Sequence, residues 1–205
     1  VAIDATDGKE IWKIERKSDG VAECEHAYAS PCIWTSGSDH QLITHGNDYA
    51  IGHRLSDGKE LWRVAELNPK DRYNRTLRFV SSPVATASLI IIPSAKGRGV
   101  VGLKPGAKGL IMPGNKAEQW RLTRGTPDVV SPLIYGEEVY LNRENGSIAC
   151  LDAKTGEQYY SERAHAQTYR ASPVAADGKV YVTARDGTIS VIKAGSKFEV
   201  LFKNK

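Results

Sequence analysis

The sequence has no excess of charge of either sign and no long apolar run. Of its 205 residues, 28 are Lys or Arg and 24 are Asp or Glu, which gives a formal net charge of +4. Nucleic-acid partners select for clustered positive charge, so this balance argues against them. No apolar stretch approaches the roughly 20 residues of a membrane-spanning helix, and we therefore expect no membrane span.

Cysteine is also scarce, with three residues and no CxxC pair among them. Cys32 and Cys150 fall in predicted strands, where a free thiol behaves as a small apolar side chain. Buried free thiols are therefore the favoured interpretation. A Cys24–Cys32 disulfide is the alternative, and it would suit an oxidising compartment.

What the sequence has instead is a repeat. A Ser-Pro dipeptide recurs about every 40 to 50 residues, ending at Pro31, Pro83, Pro132 and Pro173. Short alternating apolar segments separated by turns follow each dipeptide, as in residues 179–183 and 188–192. Alternation bounded by Asp-Gly is typical of β-hairpins. Four strands in a unit of this length are the signature of a β-propeller blade.

A second marker fixes the phase of the repeat, because a glycine stands four positions before an aromatic residue in three units. The pairs are Gly8 and Trp12, Gly58 and Trp62, and Gly156 and Tyr160. A fourth aromatic, Trp120, belongs to a degenerate unit in which residues 104–116 replace the tight turn. Glycine permits the positive φ of such a turn, and a large ring on the outer strand can wedge between blades. We therefore predict a structural packing role for four aromatics: Trp12, Trp62, Trp120 and Tyr160.

These markers predict an all-β fold, a single partial β-propeller over residues 1–205 built from four-stranded antiparallel blades. The blades are predicted over residues 26–66, 77–124, 125–163 and 167–205, with half a blade over residues 1–16. The total is about four and a half blades, which we interpret as a fragment of a longer propeller. The exposed edges of an open arc favour self-association. A β-sandwich is the alternative, but it would lack the fixed offset from glycine to aromatic.

The pattern Ala-x-Asp-x-x-[Thr/Asp]-Gly-Lys-x-x-Trp of residues 2–12 recurs in residues 52–62 and, more loosely, in residues 150–160. It resembles the tryptophan-docking motif of the PQQ-like (pyrroloquinoline-quinone-like) repeat, which is found in quinoprotein alcohol dehydrogenases and in the outer-membrane assembly lipoprotein BamB. The resemblance to BamB-like bacterial propellers covers nearly the whole chain. It implies a non-catalytic binding or scaffold module in the cell envelope, periplasmic or secreted, with protein partners.

The alternative function is that of a PQQ-dependent, quinoprotein-like dehydrogenase. For such an enzyme the resemblance implies a calcium-bound quinone with Glu, Asn and Asp ligands, an Asp base and an adjacent Cys-Cys disulfide. The chain has no Cys-Cys, and nothing marks Asp128 and Asn142 as a calcium set. We therefore predict no catalytic residues and disfavour both PQQ and calcium as cofactors.

Histidines offer a weaker candidate for chemistry. Four of them fall in one predicted blade: His26, His40, His45 and His53. Imidazole nitrogens are good ligands for zinc and related metals. The spacings nevertheless put these residues on different strands and loops, and we predict no metal site.

The loops that lead into the blades carry the best candidate site. In a propeller these loops converge on one face around the channel mouth, so that equivalent positions become neighbours. Four residues stand three to five positions before the prolines: Tyr28, Arg78, Asp128 and Arg170. Two arginines beside one aspartate leave net positive charge, which favours a protein partner or a small anionic or hydroxyl-rich ligand. Ion pairs between blades are the competing interpretation of the same residues.

Loops between the second and third strands should reach the same face. Their polar residues are Asn47 and Asp48, Lys96 and Arg98, Arg143 and Glu144, and Arg185 and Asp186.

Overall fold

The structure, a computed structural model, describes residues 1–46 and 48–205 and is almost entirely β. Within that part of the chain, strands are joined by turns and by two short 3₁₀ helices, Ala22–Glu25 and Lys70–Arg72. Neither helix has the length and apolar character that crossing a membrane requires. The predicted all-β class is confirmed.

The strands follow the predicted repeat units in chain order. Residues 1–16 supply β1 (Ala2–Ile3) and β2 (Glu10–Trp12). The next unit supplies β3 (Cys32–Ser36), β4 (Asp39–Gly46), β5 (Tyr49–Arg54) and β6 (Glu60–Val64). Then come β7 (Val84–Ala85), β8 (Ile90–Pro93), β9 (Val100–Leu103), β10 (Gly109–Ile111) and β11 (Glu118–Leu122). The fourth unit supplies β12 (Leu133–Tyr135), β13 (Glu138–Asn142), β14 (Ser147–Asp152) and β15 (Gln158–Arg163). The last supplies β16 (Val174–Ala176), β17 (Lys179–Thr183), β18 (Ile189–Lys193) and β19 (Val200–Asn204).

Within each unit, strands that follow one another in sequence pair antiparallel, except that β11 pairs with β9 and β10 joins the preceding unit. Among the described residues this gives four larger sheets and one two-stranded sheet. The strand after each Ser-Pro, that is β3, β7, β12 or β16, lies at one edge of its sheet. These four edge strands contact one another in sequence order. The sheets therefore stand side by side around a common inner edge, as blades do in a partial propeller.

The second blade has a strand that the sequence pattern does not predict. β10, from the degenerate stretch of the following unit, pairs in parallel with β6, with Gly109 opposite Trp62. Ile111 is buried in the core beside Trp62, and its carbonyl accepts from Ala65 N at 3.0 Å. Residues 104–116 thus form a connection that adds a fifth strand to the preceding blade. The burial of the Ile111 side chain in the core of that blade stabilises this arrangement.

The hydrophobic core lies between neighbouring blades. Successive side chains of a strand point to opposite faces of the sheet. In β8, Ile90 and Ile92 pack in the cluster shared with the preceding blade, whereas Ile91 packs in the cluster shared with the following one. In β13, Leu141 and Tyr140 divide in the same way between two clusters. Each inner blade is therefore stabilised from both sides.

The Ser-Pro serines connect the blades by hydrogen bonds of one repeated type. Ser30 N donates to Ser82 Oγ at 2.9 Å, Ser82 N to Ser131 Oγ at 3.1 Å, and Ser131 N to Ser172 Oγ at 3.0 Å. We call these bonds the serine clasps. Ser82 and Ser131 each use both groups, the N–H for the next blade and the hydroxyl for the previous one, whereas Ser30 supplies the N–H of the first clasp and Ser172 the hydroxyl of the last.

Two of the four aromatics dock on the following blade. Trp12 Nε1 donates to Leu55 O at 3.0 Å, and a Cβ on Gly58 would stand only 2.6 Å from the Trp12 ring. Trp120 Nε1 donates to Ala153 O at 2.9 Å in the same manner. Each ring therefore packs directly against the backbone of a turn, at a glycine where any side chain would collide with the ring.

The other two aromatics have different surroundings. Trp62 Nε1 donates at 2.8 Å to Gln41 Oε1 of its own blade, where β10 covers the outer strand. Tyr160 is buried, and its ring meets Phe198 of the next blade at 5.4 Å in an edge-on contact.

All three cysteines are free thiols. Cys24 is buried, and its Sγ lies 3.3 Å from Asn74 O. Burial raises the pKa of the Cys32 and Cys150 thiols to about 11. The Cys24–Cys32 disulfide that the sequence left open is not formed.

Candidate functional site

The side chains that precede the Ser-Pro dipeptides surround one cavity of about 280 Å³, which we call the channel-mouth cavity. Its wall is formed by Tyr28, Arg78, Val80, Asp128, Val129 and Arg170. The structure thus brings together all four residues that the sequence singled out. Ligand binding there stays a prediction.

Backbone contacts between neighbouring loops hold one side of this cavity. Tyr28 N donates to Phe79 O at 3.2 Å, and Ala27 and Phe79 form an isolated parallel bridge. The Phe79 ring is buried and meets the His45 ring edge-on at 5.3 Å. Because Phe79 is fixed in the core, Arg78 is presented outward beside Tyr28.

Glu144, in the turn after β13, holds the opposite side. Its Oε1 accepts a hydrogen bond from Asp128 N and another, at 3.3 Å, from Val129 N. Val130 follows in the core, and its carbonyl accepts from Ser81 Oγ at 2.9 Å. The backbone at Asp128 is thus fixed by neighbours, while its carboxylate faces the cavity.

The charges around the cavity are partly paired. Asp128 Oδ2 lies 3.3 Å from Lys96 Nζ and 3.4 Å from Arg170 Nη1. Arg78 is exposed, and within residues 1–46 and 48–205 no hydrogen bond or ion pair reaches its guanidinium. With Glu144 included, three cations face two carboxylates, so the site keeps a positive excess that suits an oxyanion.

A calcium-bound quinone does not fit these residues. Ca²⁺ takes about six to eight oxygen ligands, whereas the cavity wall offers one carboxylate, that of Asp128, already engaged by two cations. Among the residues that the structure describes, no three His, Cys, Asp or Glu side chains are grouped so as to hold a metal ion. Asn142 is buried at the end of β13, outside the cavity wall.

Two histidines of the second blade have separate local partners. His40 Nδ1 lies 3.1 Å from Thr35 Oγ1, and His53 Nε2 lies 2.9 Å from Thr44 Oγ1. Burial, with a smaller effect of a nearby arginine, lowers the pKa of His45 to about 3. The structure does not gather these side chains into one site.

Other loop residues on this face form their own contacts. Asp48 is buried and accepts from Tyr73 Oη at 2.6 Å, from Asn68 Nδ2 at 3.2 Å and from Lys70 Nζ at 3.3 Å. This network ties residues 66–79 to the second blade and is structural. The neighbouring Asn47 lies outside the described residues.

Lys96 and Glu144 are neighbours of the cavity whose contacts the sequence did not reveal. Both belong to loops that the sequence assigns to this face, but neither the ion pair of Lys96 with Asp128 nor the bonds of Glu144 to the backbone of Asp128 and Val129 follow from it. The signal available in the sequence was that both types of loop should reach the same face of the propeller. The contacts of Lys96 and Glu144 with Asp128 depend on how closely neighbouring blades approach, and the spacing of residues in the sequence does not show this.

The comparisons with known proteins agree with the blade architecture. A family model described as outer membrane protein assembly factor BamB matches residues 55–196. No curated protein matches the sequence significantly. Among solved structures, BamB from Moraxella catarrhalis is 18% identical with a TM-score of 0.62, over 98% of this chain and 53% of that chain. This chain therefore spans about half the length of that protein.

Two further structures share the fold at low identity. The quinohemoprotein alcohol dehydrogenase from Comamonas testosteroni is 12% identical with a TM-score of 0.72, over 98% of this chain and 39% of that chain. The computationally designed Ika4 protein is 15% identical with a TM-score of 0.63, over 92% of this chain and 99% of that chain. Fold alone does not transfer activity, so the function must be argued from the site.

Proposed function

Because the chain belongs to the family of the outer membrane protein assembly factor BamB, we propose that it is a non-catalytic binding module. In this proposal the channel-mouth cavity holds an anionic or hydroxyl-rich group of a protein partner in the bacterial cell envelope, in the periplasm or after secretion. The family match and the structural likeness to BamB confirm the predicted PQQ-like repeat propeller, the premise of the proposal.

The observation that carries the proposal is the unpaired guanidinium of Arg78 at the rim of the cavity. A guanidinium presents several N–H donors in a planar fork that matches a carboxylate or phosphate. Arg170 has only a 3.4 Å contact with Asp128 and is exposed, so this ion pair contributes about 0–1 kcal/mol and yields readily to a ligand. Both arginines can then turn to the same oxyanion, while Asp128 accepts from hydroxyl groups.

The competing function is that of a PQQ-dependent oxidoreductase, an alternative raised by the fold that this chain shares with the Comamonas enzyme. The single carboxylate of the cavity does not supply the oxygen ligands for calcium, and so we propose no cofactor. Adding PQQ and Ca²⁺ to the protein and assaying dye-linked alcohol oxidation tests this choice. Clear turnover would replace our proposal with the enzymatic one.

Gluconate, which carries one carboxylate and several hydroxyls, is a suitable probe for the cavity. We expect sodium gluconate to shift the NMR signals of the cavity residues at low ionic strength, and Arg78→Ala with Arg170→Ala to weaken its binding about tenfold or more. The melting temperature should change little, because Arg78 has no partner to lose among the described residues and the exposed pair of Arg170 with Asp128 contributes only about 0–1 kcal/mol. Lys197→Ala with Lys203→Ala removes the same charge from the last blade and serves as the control.

The opposite result is equally informative. A lower melting temperature of the Arg78 and Arg170 variant with gluconate binding intact would show that these arginines only connect blades. Equal weakening in the lysine control would show that overall charge, and not the cavity, attracts the probe.

A further inference from the structure

A second and larger cavity, of about 660 Å³, opens between the third and fourth blades. Its wall includes residues of the turn after β8, the segment between β11 and β12, the turn after β13, and the outer strand β15. We call it the basic groove and define it by Lys96, Arg124, Arg143, Asn145 and Gln158. Three of these five side chains are cationic, and the wall also includes the carboxylate of Glu144.

The two arginines of the groove lack partners. Arg124 is exposed and Arg143 is half-buried, and no hydrogen bond or ion pair reaches either guanidinium among the described residues. Arg143 Nη2 lies 3.5 Å from the point where a Cβ on Gly125 would stand. Gly125 is buried with φ +126°, a conformation that other residues rarely adopt. The Arg143 guanidinium therefore packs over bare backbone, partly shielded from water and without a counter-charge.

The basic groove is distinct from the channel-mouth cavity. The Lys96–Asp128 ion pair stands between the two, with Lys96 lining the groove and Asp128 lining the cavity. Glu144 also borders the groove, but its carboxylate is engaged by the backbone N–H groups of Asp128 and Val129. Arg124 and Arg143 thus face the groove with no carboxylate of the described chain bound to them.

We propose that the basic groove binds an acidic peptide segment of a protein partner. Each free guanidinium can hold one carboxylate through two parallel hydrogen bonds. Asn145 and Gln158 are exposed amides that can bond to the backbone of an extended segment. The volume of the groove lies within the range of about 300–1,000 Å³ that is typical of ligand pockets, and it is larger than a single ion requires. Among the described residues no aromatic side chain lines the groove, so it offers no stacking platform for bases.

A fluorescein-labelled hexaglutamate peptide is the probe, with binding followed by fluorescence anisotropy at low ionic strength. We expect the parent to bind it and to leave hexaglutamine unbound. Arg124→Gln with Arg143→Gln should weaken binding about tenfold or more, because two close charge pairs are lost. Binding should also weaken as salt is raised, since the groove is open to solvent.

Two controls keep the test specific. Lys197→Gln with Lys203→Gln removes the same charge from the last blade and should bind like the parent. No hydrogen bond or ion pair of the described residues reaches the Arg124 guanidinium, so Arg124→Gln alone should leave folding intact. This single variant should bind several-fold more weakly, and that result can be interpreted even where Arg143→Gln impairs folding. Unchanged affinity of the Arg124 and Arg143 variant would overturn the proposal. Displacement of the peptide by equimolar inorganic phosphate would assign the groove to a small oxyanion and overturn it as well.

Discussion

At the scale of a single residue, Trp62 concentrates much of the packing of the second blade. Its side chain is 1% exposed, and a Cβ on Gly52 would stand 2.1 Å from its ring. Trp62→Ala removes this ring and deprives Gln41 Oε1 of its donor. We expect the free energy of unfolding to fall by about 3–5 kcal/mol, measured by chemical denaturation followed by circular dichroism.

The matched control is Ile33→Ala, in β3 of the same blade. Ile33 is 58% exposed, so its truncation should change the free energy of unfolding little. A Trp62→Ala variant as stable as the parent would show that the assigned phase of the repeat is wrong.

Asp186, in the turn after β17, gives a prediction about pH. The hydrogen bond from His165 Nε2 at 3.0 Å, and then the bond from Thr188 N, lower the pKa of its carboxyl to about 2. A carboxyl with a lowered pKa in the folded state stabilises the fold above its unfolded pKa of about 3.9. That contribution is lost as the pH falls from about 4 towards about 2.

The measurement is a ¹³C NMR titration of the Asp186 carboxyl. We expect a midpoint near 2 in the parent, and His165→Gln should move it towards the value of about 3.9 for a free side chain. Thr188 N keeps part of the effect in that variant. An identical midpoint in both proteins would mean that His165 does not bond to the carboxylate in solution.

The sequence predicted more about the positions of residues than about their partners. The common offset before each proline was enough to gather Tyr28, Arg78, Asp128 and Arg170, because equivalent positions of a radial fold share one rim. It could not reveal that Glu144 bonds to the backbone of Asp128. That contact depends on how closely two blades approach, which depends on the packing of their cores.

At the scale of an element, the serine clasps give a simple test of the connection between inner strands. Ser82 Oγ is the acceptor for Ser30 N, and Ser82 is half-buried. Ser82→Ala removes this acceptor while its own N–H still reaches Ser131. We expect a loss of about 0.5–1.5 kcal/mol in the free energy of unfolding, measured by chemical denaturation.

Ser38→Ala is the control for this variant, because Ser38 lies exposed in the turn between β3 and β4. It should unfold like the parent. If Ser82→Ala also unfolds like the parent, the serine clasp makes no net contribution to the free energy of unfolding.

β10 shows where element prediction from sequence reached its limit. Residues 104–116 are rich in Gly, Pro and Lys, which is typical of a loop, and three residues carry too little alternation to indicate a strand. Only the parallel partner β6 makes these residues a strand. Pairing of that kind is a tertiary event, whereas the antiparallel hairpins of the other units are encoded by adjacent turns.

At the scale of the whole molecule, the blades depend on one another because the core lies between them. Trp12 of the first unit rests on the Gly58 turn of the second, so a change in that turn reports on coupling between blades. Gly58→Ala places a methyl group 2.6 Å from the Trp12 ring at φ +73°. We expect destabilisation from both the backbone strain, about 1–2 kcal/mol, and the clash.

Gly37→Ala separates the two contributions. Gly37 has φ +58°, and nothing lies within 4 Å of the point where the new methyl group would stand, so this variant bears the backbone strain alone. The excess loss in Gly58→Ala, read as a difference in melting temperature, measures the Trp12 docking. Equal melting temperatures would mean that the first unit contributes nothing to the stability of the second.

The direction of the serine clasps has a consequence for how such a protein can evolve. Ser82 and Ser131 each give an N–H to the unit after them and a hydroxyl to the unit before them, so the three junctions that carry a clasp are made of the same two groups. A gene duplication that copies such a unit therefore inserts a blade whose two inner-strand junctions match those of its neighbours. In repeat folds each unit packs mainly on its neighbours, so such a duplication can change the number of blades in one step, and selection can then diversify the loops of the new copy.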